Sequence, residues 1–201
     1  MTKPITKQLS RILGYNARAL HYINSDTNSL SSKKIAHNKL ATKKILQKQG
    51  LPTPRLHGLI TNRQELKKFR WTKLPPSFVI KPNNAYGGGG ILVVFGRNKK
   101  GNWVLGDRSE IFIRQLESHV LNILDGNFSP YNVPDVALIE QRVKNHPDLK
   151  PYSVRGIPDI RVIVYNLVPI MAMLRLPTHE SHGKANLHAG GIGVGLSLIH
   201  I

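Results

Sequence analysis

The stretch FVIKPNNAYGGGGILVVFG, residues 78–96, does most to limit what this chain can become. Two short apolar runs are separated by a lysine, a proline and four consecutive glycines. Four glycines in a row weaken any helix or packed strand, because glycine loses the most backbone freedom on ordering and has no side chain to bury. The runs therefore read as strands Phe78–Lys81 and Ile91–Phe95, with the glycines as a hairpin loop. Without a Cβ, glycine adopts φ > 0 freely, so successive N–H groups can turn toward one centre and let an anion approach the backbone. Lys81 ends the incoming strand and could bring an ammonium to the same centre. The loop matches neither of two common phosphate fingerprints. No Gly-Lys-Ser/Thr follows it, no helix opens from it, and its spacing is not that of a dinucleotide-binding turn. The plain alternative is a flexible hairpin tip beside a surface lysine.

The rest of the chain alternates between two periods. Ile5, Leu9, Ile12, Leu13, Ala17, Leu20 and Ile23 are spaced for a helix over 5–24, weakened by Gly14. A polar loop over 24–32 leads to a second helix over Lys33–Gln49, which Gly50 stops and Pro52 cannot continue. Pro54–Ile60 reads as extended. Asn62 can cap a brief helix over 63–70, with Glu65 at the third helical position as in a capping box. NKKGNW (98–103) is a hairpin turn into Trp103–Leu105, and Glu110–Leu124 is helical. Val136–Val143 is a strand, 144–157 a polar loop, and Asp159–Tyr165 with Val168–Leu176 a hairpin around Asn166. There is no internal repeat. Helices first and a mainly antiparallel β region after them imply an α+β fold.

At 201 residues and 40% hydrophobic content the chain can bury a core. No run of about 18 apolar residues reads as a membrane span, and no continuous apolar segment near the start reads as a secretion signal. With no cysteine, disulfides, thiolate zinc sites and cysteine nucleophiles are excluded, and a cytoplasmic setting is the expectation. The net charge of +18 is uneven: residues 1–50 and 51–100 each hold ten Lys/Arg and one acid, whereas 101–150 hold five and seven. Nucleic acid, an anionic surface and a polyphosphate nucleotide are all partners for such a half, and a solvated basic surface is the bland reading.

Three further features carry chemistry. VALIEQRV (136–143) is an apolar strand whose edge could offer backbone groups to a purine, with Glu140 accepting from an exocyclic amine; a solvated edge-strand glutamate is the alternative. In PDIRVIVYN (158–166), Asp159 and Arg161 are two apart and share a strand face, so they need each other or a ligand as partners. LPTHESHGKANLHAGGIGVG (176–195) gathers His179, Glu180, His182, Lys184, Asn186 and His188. The histidine spacings fit no recognised zinc pattern, and no metal ligands are assigned.

In order, KLATKKILQKQGLPTP, FVIKPNNAYGGGGI, ALIEQRV, GIPDIRVIV, MAMLRLPT and GKANLHAGGIGVG resemble the ATP-grasp superfamily. More closely they resemble bacterial α-L-glutamate ligase-like proteins related to ribosomal-protein S6 modification enzymes. The resemblance spans roughly residues 11–195. It implies an ATP-grasp fold, with ATP between two α+β lobes, and an ATP-dependent carboxylate–amine ligase that works through an acylphosphate. The implied partners are ATP, Mg²⁺, a carboxylate, and an amine that could belong to a protein or peptide; a homo-oligomer is possible. The resemblance implies that Lys43 or its neighbour Lys44 reaches an ATP phosphate, with Lys43 favoured, and that Lys81 is the second phosphate lysine. Gly87, Gly88, Gly89 and Gly90 form the loop over the phosphates. Glu140, Gln141, Arg142 and Val143 form the adenine linker, and Asp159 takes the ribose-hydroxyl position. Arg161 and Arg175 are candidate catalytic contacts to phosphate or carboxylate, and Lys184 and Asn186 lie by the phosphates.

The implied organisation is an N-terminal helical region over 1–60, a small lobe with the glycine loop over 61–143, and a partial large lobe over 144–195. Residues 196–201 are set apart. Relatives continue past that point with an acidic residue and a Glu-x-Asn pair that bind Mg²⁺. LSLIHI instead resembles the translated end of a sequencing-library adapter, so the expectation is a non-native tail on a C-terminally shortened, inactive ligase. Two other readings stand beside the ligase: a nucleotide-binding scaffold without catalysis, and a basic nucleic-acid- or ribosome-associated module, for which 6% aromatic content offers few stacking platforms.

Overall fold

The single helix expected over Lys33–Gln49 is two helices, α1 (Leu30–His37) and α2 (Lys39–Lys48). Asn38 between them is extended (φ −101°, ψ 103°), and its Oδ1 accepts from Ala41 N at 2.8 Å. The asparagine gives up helical backbone for a capping bond that satisfies one of the free donors of α2. The chain divides at this point into two compact units, Met1–His37 and Asn38–Ile201. The computed structural model describes Asn16, residues 28–85 and residues 87–196. The helix expected over 5–24 lies, apart from Asn16, outside the described residues, as does the expected tail beyond Leu196.

Among its described residues the larger unit holds ten strands: β1 (Leu56–Ile60), β2 (Phe78–Pro82), β3 (Leu92–Val94), β4 (Gly96–Arg97), β5 (Trp103–Val104), β6 (Glu110–Ile111), β7 (Ala137–Gln141), β8 (Asp159–Tyr165), β9 (Val168–Leu176) and β10 (Ile192–Leu196). Helix α2, with α3 (Arg63–Lys68) and α4 (Ile113–Leu124), completes it, with short 3-10 turns between. The sheets run β1-β7-β2-β3, β4-β5-β6 and β10-β9-β8, and every pairing is antiparallel. This is an α+β fold. Residues 56–60 belong to the same sheet as 78–82 and 137–141, so the boundary expected at residue 60 cuts through a sheet.

The two faces of the first sheet differ because strand residues alternate. Phe78, Ile80, Val94, Ala137, Ile139 and Ile60 form one face and join the core. Against them α4 presents Leu116, Val120, Ile123 and Leu124, the spacing of one helical stripe. Truncating a residue such as Leu116 to alanine would cost about 2–5 kcal/mol. The opposite face carries Val79, Lys81, Leu138 and Glu140. It is the face that receives α2.

Local chemistry fixes the turns. Asn62 Oδ1 caps α3 through Gln64 N and Glu65 N, but Glu65 reaches back to Thr61 N and Oγ1 rather than to the cap itself. Asn166 and Leu167 take φ of 50° and 68° in the β8–β9 hairpin. The helix expected over Glu110–Leu124 begins later, since Glu110 and Ile111 pair with β5.

Candidate functional site

Strand β7 is interior to its sheet, between β1 and β2. Glu140 therefore is not on an edge in solvent: its backbone faces Leu56 on one side and Val79 on the other, and it is 2% exposed. A buried carboxylate requires charged partners. Lys43 from α2 places Nζ 2.8 Å from Oε1, and Lys81 from β2 places Nζ 2.5 Å from Oε2. The Lys43 contact is ionic and lacks hydrogen-bond alignment, leaving Oε1 without a directed donor. Lys43 Nζ also donates to the Pro54 carbonyl. Lys44, the alternative to Lys43, is exposed. Two ammoniums face one carboxylate, so the cluster keeps a surplus of one positive charge. Lys81 is the more open of the two, 22% exposed against 7% for Lys43.

This geometry corrects the expected use of Glu140. Its carboxylate is taken by two lysines and its backbone lies within the ladder. The ladder ends at Gln141, so free linker backbone starts at Arg142 and Val143. Gln141 Oε1 accepts from Arg55 N at 3.1 Å, and Arg142 lies over the Phe95 ring at 4.7 Å.

The glycine loop turns as its composition demands: Gly87, Gly88 and Gly90 have φ of 60°, 78° and 68°. Its root is fixed by Asp135, whose carboxylate accepts from Asn84 N at 2.8 Å and Asn84 Nδ2 at 2.7 Å. Asp135 was not among the residues singled out from sequence; the polar PNN just before the glycines was the available sign that the loop needs a fixed start. The tip meets the segment after β9. A Cβ on Gly88 would lie 3.8 Å from Lys184 Cε, and one on Gly87 3.8 Å from His188 Nε2. The fold thus brings a β2–β3 loop beside residues about a hundred positions later.

A second group forms on β8 and β9. Arg175 donates to both oxygens of Asp159, Nε and Nη2 each at 2.6 Å, and its Nη1 donates to Asn186 Oδ1 at 3.4 Å. The paired carboxylate holds the Arg175 guanidinium above its ordinary range. Asp159 thus finds Arg175 across the hairpin, not Arg161 on its own strand, and Arg161 is exposed. Asp159 itself stays 44% exposed, open to a further donor.

A family profile described as sugar-transfer associated ATP-grasp matches residues 18–200. The chain belongs to this family. A search of curated proteins returned no match. Membership establishes the ATP-grasp fold expected from the sequence motifs, and that fold implies binding of ATP. The family is described by sugar transfer, not by ribosomal-protein modification. For ATP the fit is good: surplus positive charge at Lys43 and Lys81, a glycine loop free of Cβ atoms, and linker backbone past Gln141. For Mg²⁺, usual in ATP-grasp proteins, no group of three or more His, Asp or Glu gathers among the described residues, so they do not provide a metal cage. Among the described residues no helix is long and apolar enough to cross a membrane.

Proposed function

We propose that this sugar-transfer associated ATP-grasp chain carries the nucleotide site of an ATP-dependent carboxylate–amine ligase. The observation that carries the reading is the approach of Gly87 and Gly88 to His188 and Lys184, with Lys81 at the loop's root. In this reading the loop N–H groups and the Lys81 and Lys184 ammoniums surround the triphosphate. Lys43 keeps Glu140 neutralised when Lys81 turns toward phosphate. Gln141, Arg142 and Val143 line the adenine, Asp159 takes a ribose hydroxyl, and Arg175 holds Asp159 in place. Arg161, exposed on β8, is available to a substrate carboxylate or phosphate.

The chemistry is substrate chemistry. A carboxylate oxygen attacks the γ-phosphorus, the bond to the ADP oxygen breaks, and the resulting acylphosphate is opened by an amine with loss of phosphate. Fixed cations along the path stabilise charge that grows on the transferred group. The motifs resembling S6-modification enzymes suit an amino acid or peptide as one substrate. The sugar-transfer association of the family suits a saccharide-bearing or envelope-related acceptor. Use of ATP suits a cytoplasmic reaction.

Hydroxylamine tests this reading, because it intercepts acylphosphates as hydroxamates. Incubation of the chain with ATP, Mg²⁺, hydroxylamine and a panel of amino acids and sugar acids should give ADP and hydroxamate in equal amounts, and Lys81→Met should abolish both. ADP release that no acid stimulates argues against a ligase. A second reading, a nucleotide-binding scaffold, is favoured by the lack of a metal-holding cluster among the described residues; it predicts ATP binding with no hydroxamate. The nucleic-acid reading loses ground because Lys39 and Lys43 of the basic helix are spent on internal contacts.

A further inference from the structure

We infer that Lys39 and His119 are positioning residues that hold the two ends of the glycine loop, so that only its glycine tip is left free to follow a bound nucleotide. The inference rests on the nucleotide reading of that loop. His119 lies outside the motifs singled out from sequence, Lys39 opens the first of them without a role assigned to it, and neither pairs with Glu140.

At the entry, Lys39 Nζ donates to the Ala85 carbonyl at 2.8 Å and the Asn83 carbonyl at 3.2 Å. The first turn of α2 adds two bonds to the same residue: Lys39 N donates to Asn83 O at 3.2 Å and Leu40 N to Asn83 Oδ1 at 2.9 Å. The break at Asn38 makes this possible, since a continuous helix would have spent those donors on its own carbonyls. Burial first, and then the nearby Lys81 ammonium, hold the Lys39 amine below its ordinary range, while Asp135 and Glu140 oppose that shift. Such a group is held by its two carbonyl acceptors rather than by solvent.

At the exit, the Gly90 carbonyl lies 2.9 Å from His119 Nε2 on α4. A carbonyl only accepts, so Nε2 carries the proton in this contact. The imidazole rests against the Phe128 ring, centroids 5.4 Å apart. Phe128 in turn occupies the space a Gly90 Cβ would need, with Cγ only 2.6 Å from that point. Gly90 is thus held by one hydrogen bond and one aromatic wall, both from the α4 side of the first sheet. Between the pins, a Cβ on Gly87 would meet only His188, at 3.8 Å, and one on Gly88 only Lys184 and Ile91, at 3.8–4.0 Å. Fixed ends and a bare centre keep the loop N–H groups close to the geometry that an anion needs and lower the ordering cost on binding.

Selective ¹⁵N-glycine labelling reads this directly through backbone order parameters. In the wild-type chain Gly90 should be as rigid as the strands, with an order parameter near about 0.85, and Gly88 lower. His119→Phe keeps an aromatic ring but removes the donor; it should drop Gly90 below about 0.6 and weaken ATP about five- to tenfold. His119→Gln returns an N–H near the Nε2 position and should restore both to within about twofold. A rigid Gly90 in His119→Phe, or no rescue by glutamine, overturns the inference. So does a mobile Gly90 with unchanged ATP affinity, because the contact would then be structural only. Should His119→Phe not fold, Lys39→Met tests the opposite pin, read at Ala85 through ¹⁵N-alanine labelling, and must loosen Ala85 and weaken ATP by a similar factor. If the wild-type chain binds no ATP, the nucleotide reading fails on that result alone, and the order parameters still decide whether the pins exist.

Discussion

Lys43 and Glu140 meet 2.8 Å apart where neither side chain is more than 7% exposed. A pair this dry is held by its geometry and by the second ammonium, Lys81, on the other carboxylate oxygen. Removing one partner strands a buried charge, which costs far more than the net worth of the pair. Lys43→Met should lower unfolding free energy by about 3–5 kcal/mol in urea titration, and the double change Lys43→Met with Glu140→Met should recover most of it. Lys81→Met should cost less, because Lys81 is better solvated. A Lys43→Met protein as stable as wild type would mean that Glu140 is not a buried anion.

Two glycines with similar backbone angles should respond differently to alanine. Gly50 (φ 72°) has open space where a Cβ would go, so Gly50→Ala costs only the left-handed backbone, about 1 kcal/mol. Gly90 (φ 68°) has the Phe128 ring there. Gly90→Ala adds overpacking of about 1–3 kcal/mol. Thermal melts of the two variants side by side check the difference.

Burial holds the His119 imidazole below its usual value of 6.5, partly offset by the bond to Gly90. The folded protein therefore takes up this proton at a lower pH than the unfolded chain does. Stability from this group is intact above about pH 6.5 and declines as pH falls below it. Urea midpoints at pH 7.5 and 5.0 should fall more in wild type than in His119→Gln, which has nothing to titrate at that position. Equal falls in both would remove His119 as a source of acid sensitivity.

Asp159 and Arg175 form a bidentate pair, yet Asp159 is 44% exposed. Such a pair contributes little to folding, so Asp159→Asn should change stability by less than about 1 kcal/mol. If Asp159 accepts from a ribose hydroxyl, the same change should weaken ATP about tenfold through loss of a charge-assisted bond. Calorimetric titration with ATP and with inorganic triphosphate separates the two effects, since triphosphate has no ribose and should bind both proteins alike.

The parts of the fold legible in the sequence are those set by local chemistry. The glycine run forces the β2–β3 hairpin, Asn62 caps α3, and Asn166 with Leu167 makes the β8–β9 turn. Asn38 shows the limit of pattern reading: helical spacing runs through it, and only its capping bond reveals the break. The Asp159–Arg175 pair was hidden for a different reason. Tyr165 faces Val168 and Val164 faces Pro169, but from Ile163 onward the register slips by one residue, so Asp159 meets Arg175 rather than Leu174. A bulge beside a proline, which has no N–H for the ladder, decides which side chains share a face. Glu140 was misread as an edge residue because β1 and β2, which enclose it, lie some eighty and sixty positions earlier in the chain.

The central claim is that ATP binds between the glycine loop, the linker after β7 and the segment around Lys184. Hydrogen–deuterium exchange of the chain with and without Mg²⁺ and ATP tests it most directly. A separate hollow is lined by Arg97, Trp103, Ile111 and Arg114. The account predicts slowed exchange in peptides covering residues 81–91, 141–145 and 184–191, with that hollow unaffected. Unchanged exchange in those three segments at saturating ATP, or protection confined to that hollow, would contradict it.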